Sequence, residues 1–578
     1  MAILDKLIFL YGQERGAAAF QRLQTRLDAF RSQHPDISSQ APDPTERVTE
    51  RDAILITYGD SLWETDMPPL QTLHRFLKQH LAGVLSSVHI LPFFPYSSDD
   101  GFSVIDYTAV NPELGSWDDV RQMGQDFKLM FDAVINHISA HSDWFQAFQA
   151  GDPAYQDYFI AVDPATDLSS VVRPRALPLL TPTQTARGEQ HVWTTFSDDQ
   201  IDLNFASENV LLAIVDVLLF YVSQGMSLIR LDAIAYLWKE IGTSSIHLPE
   251  THAVVQLLRE VFDAVAPHVA IITETNVPHQ ENVSYFGDGT NEAQLVYQFT
   301  LPPLTLHAFA TGDASVLSAW AAGLEKVSDT TTFFNFTASH DGIGVRPVEG
   351  ILPAAEVERL AERVRAHGGA VSYKTNADGS QSPYELNINY LDALSDPNAH
   401  EPLALQAQRF IASQAIMLAF MGVPGIYIHS LLGSRNWTVG VEQTGRARSI
   451  NREKLNANDV ERELAEPDSL RSLVFSAYRD LLAIRVQHKA FHPNAPQAVL
   501  QLHPALFTML RTAPDDSERI LAIHNVSDQA ITLDWTTVAG QVPGMSGFND
   551  LVSSTHLEAG QRFNLAPYGI MWLKMIGT

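Results

Sequence analysis

The run Ile229-Arg230-Leu231-Asp232-Ala233 carries a guanidinium and a carboxylate two residues apart, behind the mostly apolar stretch 215–226. Alternate side chains of a strand point to one face, so Arg230 and Asp232 would project together. A guanidinium beside a carboxylate favours the ionised form and lowers its pKa. Ionised, shielded and aimed, such a carboxylate can act as a nucleophile. A later apolar run, Ala270-Ile271-Ile272-Thr273, delivers Glu274. Thr331-Thr332-Phe333-Phe334-Asn335-Phe336 leads to His340-Asp341, and Leu129-Met130-Phe131-Asp132-Ala133-Val134-Ile135 ends in Asn136-His137. The competing reading of Asp232 is a cap on the next helix. For Glu274 it is a surface position, which the apolar residues before it disfavour.

Near-continuous apolar runs mark parallel strands buried on both faces, and sites of α/β proteins lie at their carboxyl ends. The pattern predicts an α/β fold: a (β/α)8 TIM barrel with inserted loop domains and a C-terminal antiparallel β-domain. Residues 1–50 read as a helical extension, with helical spacing over 17–30. The barrel would begin at 51–98, with strands at 53–58 and 88–94. Residues 99–206 would add the third strand and an inserted domain, because the Pro-rich stretch 164–185 is too long for an ordinary βα loop. The barrel resumes over 207–344, with helices at 210–221 and 254–265. Residues 345–402 lack its rhythm and read as a second insertion, carrying turn chemistry in Lys374-Thr375-Asn376-Ala377-Asp378-Gly379-Ser380-Gln381. Residues 403–488 close the barrel with a late strand at 425–428, and 489–578 alternate as short antiparallel strands.

The net charge is -29, with 67 acidic against 38 basic residues. Nucleic acids and anionic membranes both require a basic surface, so neither is an expected partner. With no cysteine, disulfides and thiolate metal sites are excluded. No basic, apolar leader opens the chain, and its apolar stretches fall short of the ~18–20 residues that span a bilayer. A cytoplasmic location is expected.

Taken together, the four strand ends resemble the α-amylase superfamily (glycoside hydrolase family 13) of retaining α-glycosidases and transglycosylases. Its motifs stand here as Asp132-Ala133-Val134-Ile135-Asn136-His137, Gly225-Met226-Ser227-Leu228-Ile229-Arg230-Leu231-Asp232, Thr273-Glu274 and His340-Asp341. Within it, the chain is similar to the sucrose phosphorylase subfamily. That likeness rests on Ile56-Thr57-Tyr58-Gly59-Asp60, the run from Phe93 to Phe102, Leu301-Pro302-Pro303-Leu304, Asp341-Gly342-Ile343-Gly344 and Ile450-Asn451-Arg452. The resemblance implies a glycosyltransferase-type phosphorylase with Asp232 as nucleophile, Glu274 as acid/base and Asp341 as transition-state stabiliser. It implies sugar contacts from His340, His137 and Tyr236, and an Asp60–Arg452 pair gripping the glucose 4-hydroxyl. Arg230 would orient Asp232. Phe94 and Phe205 are further barrel-mouth candidates. Some members carry histidine where this chain has Tyr107, which can donate a hydrogen bond but not become cationic. In amylases the asparagine at Asn136 often ligates calcium. No Asp-rich loop accompanies it here, so no metal is expected. Nor is any cofactor expected beyond inorganic phosphate as co-substrate.

The resemblance also implies an anion site beside the anomeric carbon, for which His141, Tyr384 and amides of 379–386 are candidates. The tip Ser380-Gln381-Ser382 is neutral, which favours a neutral acceptor such as fructose and hence sucrose as donor. Gln381 would face that acceptor. The alternatives are glucosylglycerate, glucosylglycerol and sucrose 6'-phosphate, with Arg173, Arg175, Lys374 and Arg435 as cations that could approach. A hydrolase or isomerase on the same scaffold would use the same trio. A catalytically dead assembly subunit would have lost a carboxylate, and all three remain. The expected partners are a small sugar and phosphate; a homodimer is one assembly open to the chain.

Overall fold

The computed structural model describes residues 3–174, 177–375, 380–542 and 545–577. Eight parallel strands close into a barrel: β1 (Ile54–Thr57), β2 (Ser87–Ile90), β3 (Lys128–Ala133), β4 (Met226–Leu231), β5 (Ala270–Thr273), β6 (Leu295–Tyr297), β7 (Thr332–Asn335) and β8 (Val423–Tyr427). Each pairs with its neighbours in chain order, and β8 pairs back onto β1 through Ile54↔Gly425. Nearly every strand residue is buried, because side chains fill the interior and helices cover the outside. The strand predicted over 88–94 stops at Ile90, and Leu91 onward leaves the ladder to begin the loop that carries Asp99 and Asp100.

The N-terminal helix Ile3–Gln33 is longer than its periodicity predicts and kinks at Gly12. Its buried leucines pack on the barrel helices Glu208–Ser223 and Pro249–Val265. The insertion after β3 pairs His137–Ser139 with Gln200–Asp202 and adds the hairpin Leu180–Thr185/Gly188–Trp193. The one after β7 sets Ile343–Gly344 against Gln381–Asn387, which pairs in turn with Ala370–Thr375. A side chain at Gly342 would place its Cβ 2.6 Å from Glu385 Cγ, so glycine lets this small sheet lie against the Asp341 loop. The C-terminal region forms a six-stranded antiparallel sheet from Gln497–Leu500 to Ile570–Gly577. Among the described residues no helix is long and apolar enough to cross a membrane.

Candidate active site

Asp232 follows β4 and Glu274 follows β5, while Asp341 stands on the loop after β7. All three line one cleft of about 860 Å³ at the carboxyl ends of the strands, with Arg230, His137, His340, Tyr236 and Tyr384. The chain turns sharply after Asp232. Ala233 adopts a left-handed φ of 48°, and its N–H donates to Glu274 Oε2 at 3.0 Å. One strained residue thus redirects the chain behind one carboxylate and holds the other.

Arg230 is buried and ties the barrel floor to the site. It pairs with Asp132 on β3 and donates through Nη1 to Asp232 Oδ1 at 2.7 Å. Its Nη2 lies 3.6 Å from Glu274 Oε2. The rings of Phe102 and Tyr297 flank it at 5.6 and 5.5 Å. Asp132 is held from its other side by His89 at 2.7 Å.

Burial pushes Glu274 up to about 7; the Arg230 charge opposes this, and Asp232 and Asp341 add to it. Asp232 is also raised by burial, against the pull of Arg230. The sequence reading, in which Arg230 alone sets that carboxyl low, is corrected here: desolvation outweighs the guanidinium. Asp232 keeps the shorter guanidinium contact, which favours its ionised form over that of Glu274. Asp341 is the reverse case. Burial would raise it, but Arg448, His340, Arg452 and Arg230 together hold it well below the ordinary carboxylate range. His340 is pressed down to about 3, chiefly by burial, and is neutral; it stacks on Phe102 with centroids 4.8 Å apart. An ionised nucleophile, a protonated acid and a second ionised carboxylate share one cleft. That arrangement can open a glycosidic bond by double displacement.

Several residues predicted for the site lie elsewhere. Asp60 does not pair with Arg452. The register Leu62↔Leu455 sets Lys454 beside Asp60, and those two form the ion pair in a neighbouring pocket. Arg452 instead pairs with Asp100 and donates to the His340 carbonyl at 2.7 Å. The Tyr107 hydroxyl donates to the Val134 and His137 carbonyls at 2.8 and 3.1 Å, so it pins the β3 loop. His141 is exposed and lines a separate groove with Gln146 and Thr183. Gln381 is exposed on the hairpin and does not line the cleft, whereas Tyr384 does. The register shifts from Ser372↔Glu385 to Tyr373↔Pro383, so Tyr384 is the extra residue of a β-bulge, which re-aims its side chain. Phe94 stacks on Tyr221 at 5.0 Å, and Phe205 is buried with its carbonyl bonded to Tyr11. Both are packing residues. Lys374 pairs with Glu349, Arg435 with Asp392, and Arg173 is exposed. Arg175 and residues 376–379 lie outside the described residues.

Arg448 is the main residue the sequence did not offer. It lines the cleft, meets Asp341 Oδ1 at 2.5 Å and forks onto Glu385 at 3.0 and 2.6 Å. The only local hint is its place four residues before Arg452. Asp99, Gln200, Asn276 and Phe299 also line the cleft, and none of them was singled out as a site residue from the sequence. The Lys239 ammonium sits 2.8 Å from both Asn136 Oδ1 and Asp202 Oδ2, so the chain itself supplies the cation that these oxygens face.

The model of the α-amylase catalytic domain matches residues 80–342. The chain is 54% identical over 574 residues to a glucosylglycerate phosphorylase of Allomeiothermus silvanus, covering 99% of this chain and 98% of that protein. It is 32% identical to a sucrose phosphorylase of Agrobacterium vitis, over 76% of this chain and 88% of the relative. A crystal structure of sucrose 6F-phosphate phosphorylase from Thermoanaerobacter thermosaccharolyticum superposes with a TM-score of 0.72 at 24% identity, covering 82% and 94% of the two chains. Strand-end motifs, barrel and full-length likeness agree, and the chain belongs to the α-amylase family, in its sucrose phosphorylase subfamily.

Proposed function

We propose that the protein is a retaining α-glucoside phosphorylase whose donor is glucosylglycerate, yielding α-glucose 1-phosphate and glycerate. The observation that carries the donor is the 54% identity across 99% of the chain to a glucosylglycerate phosphorylase, against 32% across 76% for a sucrose phosphorylase. The sequence reading favoured sucrose from the neutral tip at Gln381. That residue is exposed and outside the cleft lining, so the full-length likeness outweighs it on the acceptor.

In the proposed reaction Glu274 gives its proton to the glycosidic oxygen while Asp232 attacks the anomeric carbon from the opposite face. The C–O bond to glycerate breaks, and the sugar stays as a β-glucosyl ester on Asp232. Asp341 stabilises the positive charge that develops on the ring. Phosphate dianion then enters on the Glu274 side and attacks the same carbon. Its proton passes to Glu274, and the ester electrons return to Asp232. Two buried polar atoms of cleft residues with no hydrogen-bond partner among the described residues, His340 Nδ1 and Asn276 Oδ1, are available to the substrate.

The test is to incubate purified protein with glucosylglycerate or sucrose, with and without phosphate, and to assay glucose 1-phosphate and free glucose. Expected is a kcat/KM for glucosylglycerate at least ~100-fold above that for sucrose, the discrimination open to a site built to bind polar groups of one leaving group. Preference for sucrose would overturn the donor. Glucose release at the same rate without phosphate would overturn phosphorolysis.

A further inference from the structure

The residue Arg346 is a cation in search of an anion. It follows the short strand Ile343–Gly344, and the N–H of its neighbour Val345 donates to the Tyr384 carbonyl at 3.1 Å. It is half-buried, and its Nε is enclosed with no hydrogen-bond partner among the described residues. Among the described residues, Arg230 is matched by Asp132 and Asp232, Arg448 by Asp341 and Glu385, Arg452 by Asp100, Lys239 by Asp202 and Lys454 by Asp60, whereas Arg346 has no such ion pair. An enclosed guanidinium N–H without a partner is costly unless something else meets it.

Its position identifies what would meet it. Tyr236 and Tyr384 line the cleft. Burial pushes both phenols up, and the Arg346 charge opposes that at each; Glu274 acts on both phenols too. The N–H of Val345 bonds the Tyr384 carbonyl, and a Cβ at Gly344 would lie 2.7 Å from Asn276 Oδ1, so the segment carrying Arg346 packs on the cleft wall just beyond Glu274. The leaving oxygen must be on that side to receive the Glu274 proton, and in a retaining mechanism phosphate arrives by the same face.

We propose that Arg346 is a specificity residue that receives the oxyanion of the group beyond the scissile bond, first the leaving group's carboxylate and then phosphate. Guanidinium suits both, since its donors match carboxylate and phosphate geometry. The carboxylate part rests on the glucosylglycerate reading; the phosphate part does not.

The experiment compares wild type with Arg346→Met and Arg346→Lys in three arms, each with uncharged α-glucosyl fluoride as donor: transfer to glycerate, transfer to glycerol, and phosphorolysis at varied phosphate. Arg346→Met should lower kcat/KM for glycerate and for phosphate by about 10- to 100-fold, the scale of a charge-assisted hydrogen bond. Glycerol transfer should stay within about 3-fold, because a neutral acceptor loses no ion pair. Arg346→Lys should recover part of both losses, with thermal melts confirming that each variant is folded. Equal loss in all three arms would mean a scaffold role and overturn the proposal, as would no loss with either anion. Loss with phosphate alone would keep the anion site and overturn its carboxylate part. A wild type that ignores glycerate sinks the donor reading instead, and the phosphate arm then decides Arg346 by itself.

Discussion

Arg230 touches Asp232 at 2.7 Å and reaches Glu274 only at 3.6 Å, while burial raises both carboxyls. Of the two, Glu274 is pushed up to about 7, with Arg230 farther from it. The working form of Glu274 is the protonated one, present below that value. Activity limited by proton donation should hold on the acid side and fall about tenfold per unit once pH rises past about 7. A pH profile of kcat/KM for a donor with a poor leaving group checks this. Glu274→Gln should remove that limb and cost about 10²- to 10⁴-fold on such donors. The loss should be far smaller on α-glucosyl fluoride, whose fluoride needs little protonation. An unchanged alkaline limb in Glu274→Gln would assign it to another group.

At the scale of elements, the strands end where the chemistry begins, and the turn at Ala233 does the aiming. Its φ of 48° is a region where an L-residue pays roughly 1–2 kcal/mol and a β-branched one more. Ala233→Val should lower unfolding stability by about 1–2 kcal/mol on that ground and misdirect the N–H that holds Glu274, so kcat should suffer more than KM. Ala233→Gly should leave stability within about 1 kcal/mol, because glycine enters this region freely. Urea unfolding and steady-state kinetics on both variants are the measurements. Equal behaviour of the two would show that backbone strain is not what places the acid. The insertion hairpin works by the same element-scale logic. A β-bulge at Tyr384 re-aims that side chain into the cleft wall, and Gly342 lets Glu385 reach Arg448.

Across the whole molecule, two buried arginines meet at the end of one barrel helix, and Arg511 comes to it from the C-terminal sheet. Arg511 donates to Ala419 O at 2.6 Å and His492 O at 2.7 Å. Arg485 donates to Leu418 O at 3.1 Å and Asp52 O at 3.0 Å. Both therefore meet carbonyls at the end of the helix Leu403–Ala419, where the helix leaves acceptors unpaired and carries partial negative charge. Arg511→Met would leave several buried carbonyls without donors, at a cost of about 2–4 kcal/mol. Calorimetry should show the C-terminal sheet melting before the barrel, with the pH profile of catalysis unchanged. A single unshifted transition would contradict this role.

The sequence alone offered seven of the eight barrel strands, Arg230, and the carboxylates Asp232, Glu274 and Asp341 that line one cleft. Each trio carboxylate follows an apolar run closely, so strand periodicity and local order sufficed. It also displayed the subfamily runs, and with them the scaffold. What only the tertiary structure decided is which distant side chains meet. Asp100 rather than Asp60 takes Arg452, because the Leu62↔Leu455 pairing gives Asp60 to Lys454. Arg448 reaches Asp341 from a loop more than a hundred residues away in sequence. That Arg346 has no such ion pair among the described residues shows only in the folded chain. Such pairings depend on barrel closure and on how the inserted loops cross its mouth. These are contacts between remote segments, and no local spacing encodes them.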